Sequence, residues 1–315
     1  MGATACGKTA LSLSLAQSLD AEIISVDSAL VYRGMDVGTA KPSCSERAGI
    51  AHHLIDITDP WQSYSAARFC NDANELIAQI HARGKRALLV GGTMLYFKAL
   101  EEGLAELPKA NAEVRMELSQ QASLYGWQAL HEQLAAVDPL AASRIHPNDP
   151  QRLQRALEVY RLTGVALSEL QARTQSRLTA KPLKVALIPH DRHWLHQRIE
   201  QRFLMMLENN FMDEMLRLYR DERLNAELPA MRSVGYRQAW DHLDRVNQQS
   251  GDACASDDKE WINRAVIATR QLAKRQLTWL RSMSDVTRIE CDTLSLEQQL
   301  ACVTPLITSD HPQHD

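Results

Sequence analysis

Residues 2–9 read GATACGKT, and a helical pattern opens directly behind them, with Leu11, Leu15 and Leu19 repeating every four residues. Glycine at positions 2 and 7, lysine at 8 and threonine at 9 satisfy G-x-x-x-x-G-K-[ST], the Walker A spacing. The chemistry dictates that spacing. Glycines let successive backbone N–H groups converge on phosphate oxygens, the helix N-terminus adds partial positive charge, and Lys8 reaches a terminal phosphate. Gly2, Ala3, Thr4, Ala5, Cys6, Gly7, Lys8 and Thr9 therefore form a candidate polyphosphate cradle, and the Thr9 hydroxyl is a candidate ligand for Mg²⁺. Such a loop normally hangs from the end of a buried strand, yet only Met1 stands before it. The expectation is a chain begun at an internal methionine, with about six to ten residues of central strand upstream.

Working outward from the loop, AEIISVD (Ala21–Asp27), HHLIDI (His52–Ile57) and RALLVGG (Arg86–Gly92) read as strands. Between the last two, Phe69, Ala73, Leu76, Ile77 and Ile80 mark one helix face, and Arg83-Gly84 is a stop signal. Alternating strands and helices predict an α/β fold, a parallel sheet flanked by helices, with residues 1–108 as the first part of the core. Beyond Pro108 the pattern is helical. Turn signals fall at Asp138-Pro139, His146-Pro147, Asp149-Pro150 and Thr163-Gly164, and a helix is predicted from about Gln151, with Pro150 in its first turn. KVALIP (Lys184–Pro189) returns to strand character, so residues 109–183 read as an all-helical insertion. Residues 184–308 complete the core, with helices near 191–208, 211–222, 235–247 and 259–283. Asn247–Asp258 reads as a polar linker and residues 309–315 as a frayed tail.

Hydrophobic residues at 45% and charged residues at 23% are ordinary for a globular chain. No apolar run reaches the ~20 residues of a membrane span, and no signal-peptide pattern opens the chain, so it reads as cytoplasmic. Six scattered cysteines without a C-x-x-C pair point to free thiols and no structural zinc. A net charge of −4 excludes a globally basic nucleic-acid binder, but cations cluster locally. Arg144–Lys184 holds eight (144, 152, 155, 161, 173, 177, 181, 184) against three acids, and Arg270–Arg281 holds four against none. These are solvated helix faces or RNA contacts, and charge alone does not choose.

A kinase or ATPase, the usual inference from such a loop, commonly places an acid at a strand end. RALLVGGT ends in glycines and Thr93 instead, while the acid at a strand end is Asp27, in SVDSALVYRGMDVGTAKP. The carboxyl edge of a parallel sheet is its ligand side, so Asp27 is either a proton acceptor or a turn cap.

Taken together, GATACGKT, ISVDSALVYRGMDVGTAKP, HHLIDI, GGTMLYF, QRLQRALEVYRLTG, MRSVGYRQ and KRQLTWLR resemble, in order and neighbourhood, the tRNA dimethylallyltransferases of the IPP transferase family. The resemblance runs from Gly2 to about Arg281. It implies a P-loop kinase-like core that binds dimethylallyl diphosphate in place of ATP and transfers the prenyl group to N6 of the adenosine following the anticodon. Arg202 would join the loop in holding diphosphate, although in HQRIEQRF it reads equally as a helix-surface ion pair. Asp27 would be the general base and Thr93, otherwise a helix cap, would position the reacting groups. Asp27, Ser28, Ala29 and Leu30 would meet the target adenosine. The resemblance further assigns tRNA contact to Arg115, to Gln151, Arg152, Leu153, Gln154 and Arg155, and to Arg232, Ser233, Val234, Gly235, Tyr236 and Arg237. It assigns the same to Lys274, Arg275, Gln276, Leu277, Thr278, Trp279, Leu280 and Arg281, although Trp279 by itself reads as core. Arg152 and Arg155, three apart, share a helix face, as do Lys274 and Arg281, seven apart. Ala3 stands where the family has Pro, and Cys6 where it has Ser or Gly; neither change removes a glycine, Lys8 or Thr9. Mg²⁺, the tRNA anticodon stem-loop and a monomeric protein are the implied cofactor, partner and state. Rival readings are an adenylate isopentenyltransferase, a P-loop small-molecule kinase and a non-catalytic RNA-binding module; the insertion and the basic segments favour tRNA.

Overall fold

The computed structural model describes residues 1–173, 178, 182–248 and 256–309. Helix α1 (Lys8–Ser18) leaves the glycine loop and feeds β1 (Ala21–Val26). All six residues of β1 are buried, as a strand covered on both faces of a parallel sheet must be. The chain continues through β2 (His52–His53), α2 (Ala66–Ala82), β3 (Arg86–Gly91) and α3 (Met94–Glu102). The three strands form a parallel sheet in the order β2-β1-β3, with Ala21 opposite Arg86 and Val26 opposite Gly91. On one face Ala16 of α1 packs on Ala21 and Ile23, joined by Leu88 and Val90. Helix α2 starts at Ser65, whose side chain accepts the Arg68 N–H, and buries Phe69, Ala73 and Ile80.

HHLIDI is the first correction. Only two of its residues are strand, because Leu54 (φ 61°) and Asp56 (φ 57°) adopt left-handed backbone that ends the extended run. The Asp56 carboxylate instead lies 2.5 Å from the Lys41 ammonium, which also reaches Asp36 at 2.6 Å and the Tyr32 carbonyl at 2.7 Å. That lysine fastens the loop following Asp27 to the sheet edge.

The chain packs as two units, one made of Met1–Lys98 and Leu178–Asp315, the other of Ala99–Arg177. The second is helical: α4 (Ala112–Val137), α5 (Pro139–Arg144), α6 (Pro150–Thr163) and α7 (Leu167–Ala172). Pro139 and Pro150 occupy first-turn positions behind the caps Asp138 and Asp149. Helix α4 breaks at Gly126 (φ 82°, ψ 160°). Leu118, Leu130, Leu134, Leu153 and Val159 are fully buried in this unit's core.

The first unit resumes with β4 (Val185–Ile188), α8 (Arg192–Glu208), α9 (Phe211–Tyr219), α10 (Tyr236–Gln248), α11 (Ser256–Ser282), β5 (Thr287–Glu290) and α12 (Leu296–Ser309). Strands β4 and β5 pair in parallel. Sequence reading missed β5, where only Ile289 of TRIE is buried, and gave no distinct helix for α12. The expected linker is also shorter than read, since Asn247 and Gln248 finish α10 and Ser256–Asp258 begin α11. Residues 249–255 of that linker, Arg177 and Lys181 of the basic run, and tail residues 310–315 lie outside the described residues. Met1 and Gly2 run alongside β4: the Leu187 N–H donates to the Met1 carbonyl at 2.9 Å, and Gly2 bridges Leu187 in parallel. No helix among the described residues is long and apolar enough to cross a membrane.

Candidate active site

The glycine loop is held by its own side chains and by two distant helices. Ala5 (φ 64°) and Gly7 (φ 83°) turn it left-handed, which at the alanine costs about 1 kcal/mol. The Lys8 ammonium donates to the Ala3 carbonyl at 2.7 Å, and Arg198 Nε of α8 donates to the Ala5 carbonyl at 2.9 Å. From α11, Gln276 Oε1 accepts the Thr4 N–H at 2.9 Å. The Thr4 N–H is therefore already engaged within the protein. Gly7 supplies no side-chain cap to α1. The first-turn N–H groups of α1 have no carbonyl acceptor within the helix, which makes this end of it a candidate anion site.

Cations surround that site. Loss of water lowers the Lys8 ammonium below its ordinary range, and nearby Arg202 adds to the effect while Cys6 and Asp27 oppose it. Arg202 is lowered by burial as well, with Asp27 opposing and Arg198 contributing. Its Nη2 lies 3.4 Å from the Thr39 carbonyl. Sequence reading missed Arg198, although it precedes Arg202 by four residues and so shares its face of α8. The Cys6 thiol makes a hydrogen-bonded pair with Cys291, which draws Cys6 down and, with burial, pushes Cys291 up.

Asp27 follows the last residue of β1. Its Oδ1 accepts the N–H groups of Ala29 at 2.8 Å and Leu30 at 3.3 Å. Its Oδ2 has no hydrogen-bond partner among the described residues. One oxygen caps the turn and the other is open, so the cap leaves room for a proton-accepting role. Across the register, Thr93 Oγ1 accepts the Ser28 N–H at 3.1 Å and stands 3.4 Å from Ser28 Oγ. The Thr93 hydroxyl is thus fixed beside the residue that follows Asp27.

The loop after Asp27 is anchored by a residue sequence reading did not find. Glu214 of α9, 2% exposed, accepts the N–H groups of Asp36 and Val37 at 2.8 Å and of Gly38 at 3.1 Å, and the Tyr236 hydroxyl at 2.5 Å. Burial and the Glu214 charge push the Tyr236 phenol well above its ordinary value. A Cβ on Gly38 would lie 2.3 Å from the Phe211 ring and 2.6 Å from that of Tyr236, so only glycine fits.

The residues assigned to tRNA divide into outward and inward sets. Tyr236 is fully buried and Gly235 is buried. Gly235 N–H is taken by Gln238, Arg232 pairs with Glu227, and Arg237 lies 3.7 Å from Asp241. Ser233 and Val234 are half-buried. In α6, Leu153 is core, and Gln154 donates to the Arg115 carbonyl and Ser119. Arg155 and Arg115 both converge on Glu158, which is fully buried, while Arg152 points outward and pairs with its own cap, Asp149, and Gln151 is exposed. The shared face expected of Arg152 and Arg155 therefore splits into separate partners. In α11, Leu277 and Leu280 are core and Gln276 turns to the glycine loop, whereas Lys274, Arg275, Thr278 and Arg281 are exposed. Trp279, expected in the core, is 37% exposed with the Lys98 ammonium 5.8 Å from its ring. Helix periodicity explains the split, since inward residues recur every three or four positions.

Among the described residues no group of three His, Cys, Asp or Glu forms a metal cage. The oxygen donors at hand are the exposed Thr9 hydroxyl and Asp27 Oδ2, hard ligands that suit a divalent cation shared with phosphate oxygens.

Comparison with known proteins places this geometry in a lineage. The family model described as IPP transferase matches residues 30–283. The tRNA dimethylallyltransferase of Methylococcus capsulatus is 52% identical over 302 residues, covering 96% of this chain and 94% of the relative. Among solved structures, the full-length tRNA isopentenylpyrophosphate transferase of Bacillus halodurans superposes with a TM-score of 0.68 at 37% identity, over 98% of this chain and 94% of that one. A eukaryotic dimethylallyltransferase crystallised acting on tRNA gives a TM-score of 0.81 at 27% identity, covering 100% of this chain and 79% of that one. With more than half its length matched by the family model and a relative this similar from end to end, the chain belongs to the IPP transferase family.

Proposed function

We propose that this protein transfers the dimethylallyl group of dimethylallyl diphosphate to N6 of the adenosine following the anticodon of tRNA, releasing diphosphate. One observation carries the reading: Lys8 and Arg202 gather at a helix N-terminus and both feel the charge of Asp27, whose second carboxylate oxygen is open. In the reaction the adenine N6 attacks C1 of the donor, the C1–O bond breaks, and its electron pair leaves on diphosphate. The α1 N–H groups, Lys8, Arg198 and Arg202 stabilise the charge growing on the departing oxygens, the electrostatic contribution that usually dominates such steps. For this, Lys8 exchanges the Ala3 carbonyl for a phosphate oxygen. Asp27 Oδ2 takes the proton from N6, and Thr93, fixed on Ser28, orients the amine beside it. Thr9 would help hold Mg²⁺, which supplies further charge neutralisation on the diphosphate. The target base must leave its stack to reach this pocket, so the anticodon loop has to be gripped at its backbone. Lys274, Arg275, Thr278 and Arg281 are outward groups suited to that grip.

The test is transfer of label from dimethylallyl diphosphate to unmodified tRNA in the presence of Mg²⁺, with AMP as a parallel acceptor. Label in tRNA alone is expected. Label in AMP alone would establish an adenylate prenyltransferase, and phosphorylation from ATP without prenyl transfer a kinase.

A further inference from the structure

Gln276 lies in a segment whose outward residues suit RNA, yet both ends of its side-chain amide are engaged inside the protein. Oε1 accepts the Thr4 N–H of the glycine loop at 2.9 Å, and Nε2 donates to the Gly92 carbonyl at 2.8 Å. Gly92 directly precedes Thr93, and Thr4 lies at the centre of the phosphate cradle. One amide therefore spans the two loops that carry the donor site and the acceptor-orienting hydroxyl. The helix behind it is firmly seated, with Ala273 at 1%, Leu277 at 4% and Leu280 at 0% exposure.

The surroundings leave little freedom in this contact. A Cβ on Gly92 would meet Gln276 Nε2 at 2.6 Å and the Gly2 carbonyl at 3.2 Å. The glycine at 92 thus lets the amide approach the backbone. Thr93 is itself tied to β1, its N–H donating to the Val26 carbonyl at 3.2 Å, so shifts at Gly92 reach the Thr93 hydroxyl and through it Ser28. At the other end, fixing the Thr4 N–H removes one freedom from a loop whose remaining N–H groups must converge on phosphate.

We propose that Gln276 is a positioning residue for the prenyl transfer, setting the spacing between the diphosphate cradle and Thr93, and that it does not read tRNA. This rests on the proposed function. It accounts for an amide in a helix whose neighbouring positions are cationic: only a side chain with one donor and one acceptor satisfies the Thr4 N–H and the Gly92 carbonyl together. Gln276→Glu keeps an acceptor for Thr4 and sets a carboxylate against the Gly92 carbonyl. Gln276→Met keeps the length and removes both bonds. Gly92→Ala displaces the amide from the other side without altering Gln276.

The experiment measures the KM for dimethylallyl diphosphate, kcat, tRNA affinity and the affinity for inorganic pyrophosphate in the wild type, the three single variants and the Gln276→Met/Gly92→Ala double variant. Each lost hydrogen bond is expected to cost about three- to tenfold. Gln276→Met should therefore weaken pyrophosphate binding several-fold and lower kcat/KM by roughly 10- to 100-fold, with tRNA affinity within about twofold of wild type. Gln276→Glu should hold pyrophosphate better than Gln276→Met yet lose kcat. The double variant should be little worse than either parent, since both act on one contact. Weakened tRNA binding with unchanged pyrophosphate affinity would overturn the proposal, as would full additivity. Should the wild type fail to transfer label at all, the proposed function falls, and pyrophosphate affinity in Gln276→Met still decides whether the amide shapes the cradle.

Discussion

Replacing Glu214 with alanine should be among the most damaging single changes in the chain. The carboxylate accepts three backbone N–H groups, from Asp36, Val37 and Gly38, and the Tyr236 hydroxyl. Its removal strands four donors. Each buried donor without a partner costs about 1–3 kcal/mol, and because water can enter the space left by the shortened side chain the lower end applies, giving roughly 4 kcal/mol. That agrees with the ~3–5 kcal/mol typical of removing one partner from a buried charged contact, and is a large share of the ~5–15 kcal/mol that holds a folded protein together. Tyr236→Phe removes one bond and leaves the three N–H contacts, so about 1.5 kcal/mol is expected. Native-state hydrogen exchange reads the effect locally, which suits a chain of two packing units. Protection of the three amides should fall by up to roughly a thousandfold in Glu214→Ala and by about tenfold in Tyr236→Phe. Pyrophosphate affinity should weaken as well, since the same loop presents the Thr39 carbonyl to Arg202. Unchanged protection at residues 36–38, or equal losses in the two variants, would refute the assignment of Glu214 as the anchor.

Further outcomes follow from the same contacts. Asp27→Asn retains an oxygen for the Ala29 and Leu30 N–H groups, so its melting temperature should match wild type while kcat falls by about 10²–10⁴; Asp27→Ala should lose kcat equally and also about 1 kcal/mol of stability, from the missing turn cap. Combined neutralisation of Lys274 and Arg281, both exposed on α11, should weaken tRNA binding and reduce its salt slope by about 2, without changing pyrophosphate affinity. Burial of Glu158 works to raise its pKa, but hydrogen bonds from Arg115, Arg155 and the Asn111 N–H outweigh it and hold the carboxyl below its ordinary value. A depressed carboxyl stabilises the fold above its unfolded pKa, ~4.3, and that stability is lost as pH falls through the folded value. Glu158→Gln should therefore destabilise most at neutral pH, and the gap in melting temperature from wild type should close progressively below about pH 4.3.

How far the sequence made this molecule legible depended on the range over which each signal acts. Local signals read well. The glycine loop, the β1 run and the Asp149-Pro150 start are written in consecutive residues, and the structure places an element at each. HHLIDI failed because its apolar residues implied extension, while left-handed backbone at Leu54 and Asp56 ends the run and the Asp56 carboxylate is held by Lys41, 15 residues away in the chain. β5 failed because three of its four residues are exposed and the strand exists mainly through its pairing with β4.

The candidate site divides along the same line, and α11 shows where more could have been read. In LAKRQLTWL the apolar residues Ala273, Leu277 and Leu280 already define an inward stripe at helical spacing. Gln276 adjoins that stripe, one residue before Leu277, whereas Lys274, Arg275 and Thr278 lie off it. Periodicity alone thus separates an inward amide from outward cations, and a family-wide assignment of the whole segment to RNA conceals the difference. Glu214 is another matter. The amides it holds are 176 to 178 residues away, and although Glu214 lies three residues after Phe211 and four before Leu218, beside an apolar stripe as Gln276 does, nothing in FMDEMLRLY names those amides as its partners. What distinguishes Glu214 is burial, since a carboxylate 2% exposed must find donors for its charge. The donors it finds are the amides of the loop that hands its Thr39 carbonyl to Arg202. The proposed phosphate site is therefore positioned partly by a residue that never touches it, through an interaction that only the folded chain brings together.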